Sequence, residues 1–254
     1  MSAISTSHPS RGTALHVPSL PLPAGTRVAK WSVLSVGLAI VLAAGWWVTN
    51  SPAFDMRSIT VRGNEHLTVG EVQRSSGLTA RSNVLWLKTG PLERRLEANP
   101  WVLAARISRH PPSGIAITIE ERVAVAVTGG RHPMLLSGDG MVLGAAAEGA
   151  RLPVVATNGT PPPGHRVEAS GELAVARSLP PRLLPEVKRV GRTAAGSLVV
   201  IMREGIKVLY GTRDAAVAKS QALQAVLSWA ARHGVRPALV DVRSPAAPAL
   251  RLQP

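Results

Sequence analysis

The sequence predicts an α+β protein: a single N-terminal transmembrane helix, then a strand–helix–helix–strand–strand domain, then a β-rich domain with flanking helices. Three observations predict it. The run from Trp31 to Val48 is uncharged, apolar residues alternate with period two in several downstream stretches, and short helical patterns there are bracketed by capping and stop residues.

Trp31–Val48 reads WSVLSVGLAIVLAAGWWV. As a helix it would span about 27 Å, close to the hydrocarbon thickness of a bilayer. Trp31 at one end and Trp46–Trp47 at the other suit the two membrane interfaces. Arg27 and Lys30 precede the run, so the positive-inside rule assigns residues 1–30 to the cytoplasm. A secretory signal would have an apolar core of about 7–15 residues and small residues at its end. Here the run is longer and ends in bulky Trp46–Trp47, so it reads as an uncleaved anchor. Residues 1–30 are rich in Ser, Pro and Gly, lack periodicity, and read as a disordered tail.

Ile59 and Val61 begin a strand that Gly63–Asn64 stops. Thr68 with Glu71 three residues later forms a capping-box pattern, so a short helix is expected through Ser76, with Gly77 ending it. Leu92 and Leu96 mark a second helix that stops at Asn99–Pro100. Residues 101–109 read as a strand turned by Pro111–Pro112–Ser113–Gly114. Ile115, Ile117, Ile119, Val123, Val125 and Val127 then all fall on odd positions, the mark of a half-buried strand, interrupted only at Glu121. Residues 54–122 thus predict a three-stranded sheet with two helices on one face.

Residues 123–254 are mostly strand. Asp139–Gly140 predicts a hairpin between Met134–Leu136 and Met141–Leu143. A short strand follows at Leu152–Val155, closed by Asn158–Gly159 and three prolines, and a helix at about Glu168–Ser178. Val187–Arg192, Leu198–Met202 and Ile206–Tyr210 read as an antiparallel meander with a Glu204–Gly205 turn. The longest downstream helix runs from Asp214 to His233, with an apolar stripe of Val217, Leu223, Val226, Leu227 and Ala230. Strands at Ala238–Arg243 and Ala249–Leu252 complete the pattern.

Composition narrows the function. The chain has 254 residues, a formal charge of +14, one Phe and one Tyr, and no cysteine. A disulfide framework, a thiolate zinc site and a cysteine nucleophile are therefore excluded. The positive charge is spread thinly and lacks interleaved aromatics, so nucleic acid is not an expected partner; weak attraction to anionic headgroups or wall polymers is. His8, His16, His66, His110, His132, His165 and His233 are scattered, with no metal-ligand spacing. Ser137 lacks a nucleophile elbow, Asp139 is accounted for by its turn, and Glu120 and Glu121 project to opposite faces of a strand. The expectation is a binding protein without enzymatic activity or cofactor.

The order of these elements resembles the FtsQ/DivIB family of bacterial cell-division proteins. The first part, ITVRGNEHLTVGEVQRSSGL followed by NVLWLKTGPLERRLEANPWVLAARISRHPPSGIAITIEER, looks like that family's POTRA domain. LLSGDGMVLG, RLPVV, GIKVLYGTRDAAVAKSQALQAVL and VDVRSPAAPALRL resemble its β domain in the same order. One departure is Val123–Ala124, where the family commonly has Pro before the equivalent Val-Ala.

The resemblance implies a tail at 1–30, a transmembrane helix at 31–48, a POTRA domain at 54–122 and an FtsQ-type β domain at 123–254. It implies a scaffold at the division septum that holds FtsB/FtsL-like coiled-coil proteins and other division proteins of the membrane. It also implies a partner strand added along the last strands, at Val240, Asp241, Val242, Arg243, Ala249, Leu250, Arg251 and Leu252. The alternatives are a POTRA-bearing translocation or secretion accessory and a wall-polymer-binding protein.

Overall fold

The computed structural model describes residues 25–157, 159 and 161–253, without the side chains of 25–33 and Ser170. The first 24 residues, most of the expected tail, and Asn158 of the turn expected after Val155 lie outside the described residues. Helix α1 runs from Gly25 to Thr49. Gly25–Lys30, expected to belong to the disordered tail, are therefore helical, which corrects that boundary. From Leu34 to Val48 its large apolar side chains are exposed, between 51% at Val48 and 77% at Trp47. Among the described residues no helix is long and apolar enough to cross a membrane; the expected span starts at Trp31, among side chains outside that description.

Residues 52–254 form a separate unit with two hydrophobic cores. The first core belongs to β1 (Ser58–Arg62), α2 (Val69–Ser76), α3 (Thr89–Glu97), β2 (Val102–His110) and β3 (Gly114–Glu121). The sheet order is β1-β3-β2, with β1 parallel and β2 antiparallel to β3. Ile115, Ile117 and Ile119 face Val72, Val84, Leu96, Val102 and Ile107 in this core.

Local rules decide its edges. Thr68 Oγ1 accepts the Glu71 backbone N–H at 3.2 Å, while Glu71 accepts the Thr68 backbone N–H at 2.8 Å. Two orphan donors of the first helical turn are thereby satisfied. Gly77 ends α2 in the left-handed region, φ 73°. Gly63, φ 78°, follows β1 so closely against β3 that an added Cβ would lie 2.1 Å from the Ile119 carbonyl oxygen. Gly63→Ala combines left-handed strain with a backbone clash and is expected to destabilise residues 52–254 by about 3 kcal/mol. A lower urea midpoint at unchanged m would show it; an unchanged midpoint would mean that β1 is not held against β3 as described.

The second core is built on nine strands in the order β12-β11-β10-β9-β8-β7-β4-β5-β6. Their ranges are β4 Ala124–Thr128, β5 Met134–Ser137, β6 Val142–Ala145, β7 Val154–Val155, β8 Val187–Arg192, β9 Leu198–Met202, β10 Lys207–Gly211, β11 Pro237–Asp241 and β12 Ala249–Leu252. Helices α4 (Ser170–Ser178) and α5 (Ala216–Arg232) cover it. The expected hairpin forms, with Gly140 N–H donating to the Ser137 carbonyl at 3.0 Å.

Two sequence expectations fail here. The odd-position beat does not continue through Val123, which is 70% exposed, and both faces of β4 are covered, with Ala126 and Thr128 as buried as Val125 and Val127. On α5 the apolar stripe omits Val217, which is exposed. Its buried side instead includes Lys219 and Ser220 beside Leu223 and Ala230. Ser220 joins a polar network with Ser178 Oγ at 2.8 Å and Tyr210 OH at 3.0 Å, and Tyr210 donates to the Ala216 carbonyl. Lys219 Nζ donates to the Thr212 carbonyl at 2.9 Å. These satisfied bonds let polar groups occupy the buried face.

Between the two sheets sits Arg122, only 8% exposed. Its Nη1 donates to the carbonyls of Pro100 at 2.9 Å and Val102 at 2.5 Å, and its Nε to Asp139 Oδ2 at 3.0 Å. Asp139 also accepts the Ser137 hydroxyl and lies 3.1 Å from Arg166 Nη1. Burial pushes the Asp139 carboxyl up, but the Ser137 hydroxyl and the two guanidinium groups outweigh it and hold it below the usual carboxylate range. Asp139 is thus more than the turn residue expected from its neighbours.

Candidate protein-binding edge

Strand β12 ends the nine-stranded sheet, and among the described residues no strand pairs with its outer side. Its inner side pairs antiparallel with β11, in the register Asp241–Ala249, Val240–Leu250 and Leu239–Arg251. An edge of this kind presents a row of main-chain donors and acceptors.

Two hydrogen bonds determine which donors those are. Val242 N–H donates to the Leu209 carbonyl on β10 at 3.0 Å. Because N–H groups alternate along a strand, those of Asp241 and Leu239 turn the other way, toward β12. Gln253 N–H donates back to the Arg236 carbonyl at 3.0 Å, so Arg251 and Ala249 also point inward. Both routes leave the N–H groups of Leu250 and Leu252 pointing outward.

The eight candidate residues divide by depth. Val240 and Val242 are fully buried and support the sheet from within. Leu250 packs partly against the same core. Ala249, Arg251 and Leu252 are exposed, Leu252 by 48%. Asp241 and Arg243 form a chelated pair, with Arg243 Nη2 2.6 Å from Asp241 Oδ2 and the Arg243 backbone N–H 3.0 Å from Oδ1. The Arg243 hydrogen bond holds the Asp241 carboxyl below its usual range against the opposing effect of burial, and Asp241 in turn raises the Arg243 guanidinium. The pair is therefore intact at neutral pH and opens only as acid protonates Asp241 below the ordinary carboxylate range. It fixes the chain where it leaves β11.

At the Gln253 end a groove lined by Leu183, Ile206, Leu227, Ala230, Pro237 and Gln253 continues the edge, with Glu186 and Glu204 on its rim. Sequence reasoning singled out the strand and missed this groove, because its walls come from separate segments. Among the described residues no group of three or more His, Asp or Glu side chains is placed to hold a metal ion.

Comparison with known families gives two adjoining matches. The model described as POTRA domain, FtsQ-type, matches residues 54–122, and that described as Cell division protein FtsQ/DivIB, C-terminal, matches residues 124–243. The second match ends before β12. The chain is 30% identical over 222 residues to the cell division protein FtsQ of Mycobacterium leprae, covering 87% of this chain and 61% of that relative. It is 27% identical over 205 residues to that of Mycolicibacterium smegmatis, covering 80% of this chain and 60% of the relative. With the Myxococcus fulvus protein of the same name it shares 26% over 238 residues, covering 88% and 83%. The chain thus spans less than two thirds of the length of the two mycobacterial relatives.

Proposed function

The chain belongs to the FtsQ/DivIB family of bacterial cell-division proteins, and from that membership we propose that it is a scaffold of the division machinery that binds partners and catalyses no reaction. In this reading residues 31–48 cross the cytoplasmic membrane once, with residues 1–30 in the cytoplasm. Residues 54–122 act outside as the POTRA domain and residues 123–254 as the β domain, at the septum. The exposed apolar side chains of α1 support the anchor, since a helix bearing so many finds its lowest free energy in lipid. Arg27 and Lys30 ahead of it support the orientation.

The observation that carries the binding role is the edge of β12, unpaired among the described residues, with its outward N–H groups at Leu250 and Leu252. FtsB/FtsL-like coiled-coil proteins of the membrane are the proposed partners, one of them contributing a strand to that edge. Strand addition gives affinity through main-chain hydrogen bonds and selectivity through alternate side chains.

Pull-down of the full chain from its own membranes is the test. Two small coiled-coil membrane proteins are expected among the captured partners. Capture of a secretion pore in their place would overturn the division reading in favour of a translocation accessory.

A further inference from the structure

We infer that an open groove beside β7 is a docking site for an extended, acidic and apolar peptide segment of a partner protein. The inference rests on the scaffold reading only in making the ligand a protein. It adds a second site to the β12 edge, with four strands of the sheet between β12 and β7. The groove has a volume of about 720 Å³ and is walled by the loops at 129–133 and 145–150 and by Lys188 and Arg203.

Its floor is apolar. Strand β7 lies inside the nine-stranded sheet, between β8 and β4. Successive side chains of a strand point to opposite faces, so Val155 is buried in the core that α4 and α5 cover, while Val154 turns the other way. There Val154 lines the groove with Val127 and Leu152, and it stays 37% exposed. An uncovered valine in the interior of a sheet, with a polar rim around it, marks an interaction site.

Its rim is basic. Arg131, Lys188 and Arg203 line it against one acid, Glu148. Other exposed guanidinium groups of this unit, those of Arg166, Arg192 and Arg243, are paired with Asp139, Glu172 and Asp241. Arg131 and Lys188 have no ion-pair partner among the described residues. Arg203 is held by main chain instead: its Nε donates to the Pro185 carbonyl at 2.7 Å and its backbone N–H to the Glu186 carbonyl at 2.8 Å. Three cations around a concave apolar floor repel one another and raise the local positive potential, and an anionic ligand relieves both.

Charge alone would admit a phosphate polymer, and the floor decides for a peptide. An extended peptide sends alternate side chains to opposite sides, so its Leu or Val residues meet the floor while the intervening Glu or Asp residues stay at the level of the rim. The groove that continues the β12 edge carries Glu186 and Glu204 on its rim, and like charges there reject the same segment.

The experiment follows the fluorescence anisotropy of a labelled short peptide of alternating Glu and Leu, titrated with the full chain in neutral phosphatidylcholine nanodiscs. Two control peptides replace every Glu by Gln or every Leu by Ala. The expected result is saturable binding that weakens with salt, with either control bound about tenfold more weakly. Lys188→Glu and Arg131→Glu should each weaken it about tenfold, with an unchanged urea midpoint because both side chains are exposed. Absence of saturable binding, or an affinity indifferent to both charge reversals, overturns the peptide site. Equal binding of the Leu-to-Ala control, with displacement by poly(glycerol phosphate), overturns it in favour of a wall polymer. The Lys188→Glu chain should still capture the FtsB-like partner from membranes, and loss of capture in this variant alone would mean that the groove is no separate site. Failure of capture by wild type and variant alike overturns the scaffold reading and leaves the groove to be judged by the peptide.

Discussion

Arg122→Ala is expected to destabilise residues 52–254 by about 3 kcal/mol at neutral pH, among the largest effects available to a single substitution. The guanidinium is buried and serves three acceptors at once: the carbonyls of Pro100 and Val102 on one side and the carboxylate of Asp139 on the other. Alanine leaves the Pro100 and Val102 carbonyls without this donor and takes from the partly buried Asp139 carboxylate one of its two guanidinium partners, Arg166 and the Ser137 hydroxyl remaining, so the desolvation penalty falls mainly on the two carbonyls. Lysine keeps the charge but cannot address three acceptors from one rigid fork, so Arg122→Lys should recover only part of the loss. Equilibrium urea unfolding measures both.

The pH dependence separates this account from simple loss of packing. Asp139 titrates below the usual carboxylate range in the folded state, so its contribution is present above the unfolded value and disappears as pH falls through the depressed folded value. Asp139→Asn should therefore cost most at neutral pH and progressively less in acid, where the wild-type carboxyl is itself protonated. A penalty that stayed constant down to strongly acid pH would mean that the ion pair contributes nothing and that the variant acts through shape alone.

How far the sequence exposed this fold depends on the range of the interactions involved. The capping box of Thr68 and Glu71, the Gly77 stop and the beat of Ile115, Ile117 and Ile119 are local, because each depends on residues a few positions apart. The place of β4 is not local. It is an interior strand, paired in parallel with Val154–Val155 and antiparallel with β5, and its side chains are buried on both faces, so no periodicity within 124–128 reports those neighbours. The same holds for Lys219 and Ser220, whose burial depends on Thr212, Tyr210 and Ser178 reaching them from other elements. The break in the beat falls at Glu121, and Arg122 beside it has no role in that reading, because its acceptors lie on two segments away from it in the sequence, Pro100–Val102 and Asp139. At the edge, the strands could be read from alternation. The direction of their N–H groups could not, since it follows from two pairings, Val242 to Leu209 and Gln253 to Arg236.

That direction makes the proposed edge testable one residue at a time. Proline removes a backbone donor and leaves the partner carbonyl opposite it unsatisfied, a loss of about 1–3 kcal/mol, which corresponds to roughly five- to 150-fold in affinity. Leu252→Pro removes an outward N–H while leaving the β11 ladder intact, and its side chain is half exposed, so the sheet should survive. Leu250→Pro removes the other outward donor but also disturbs a side chain packed on the core, so it should lose binding and some stability together. Arg251→Pro strikes an inward N–H opposite Leu239 and should loosen β12 itself. Arg251→Ala, by contrast, keeps every main-chain group and should change affinity only about fivefold. Binding of the FtsB-like partner and urea unfolding, measured on the same variants, give the decisive pattern: Leu252→Pro stable but weakened in binding, Arg251→Pro unstable, Arg251→Ala nearly normal. If Leu252→Pro binds with wild-type affinity, no partner strand lies along this edge, because an added strand needs that donor. The contact would then have to be sought on another face, such as the groove between Leu183 and Leu227.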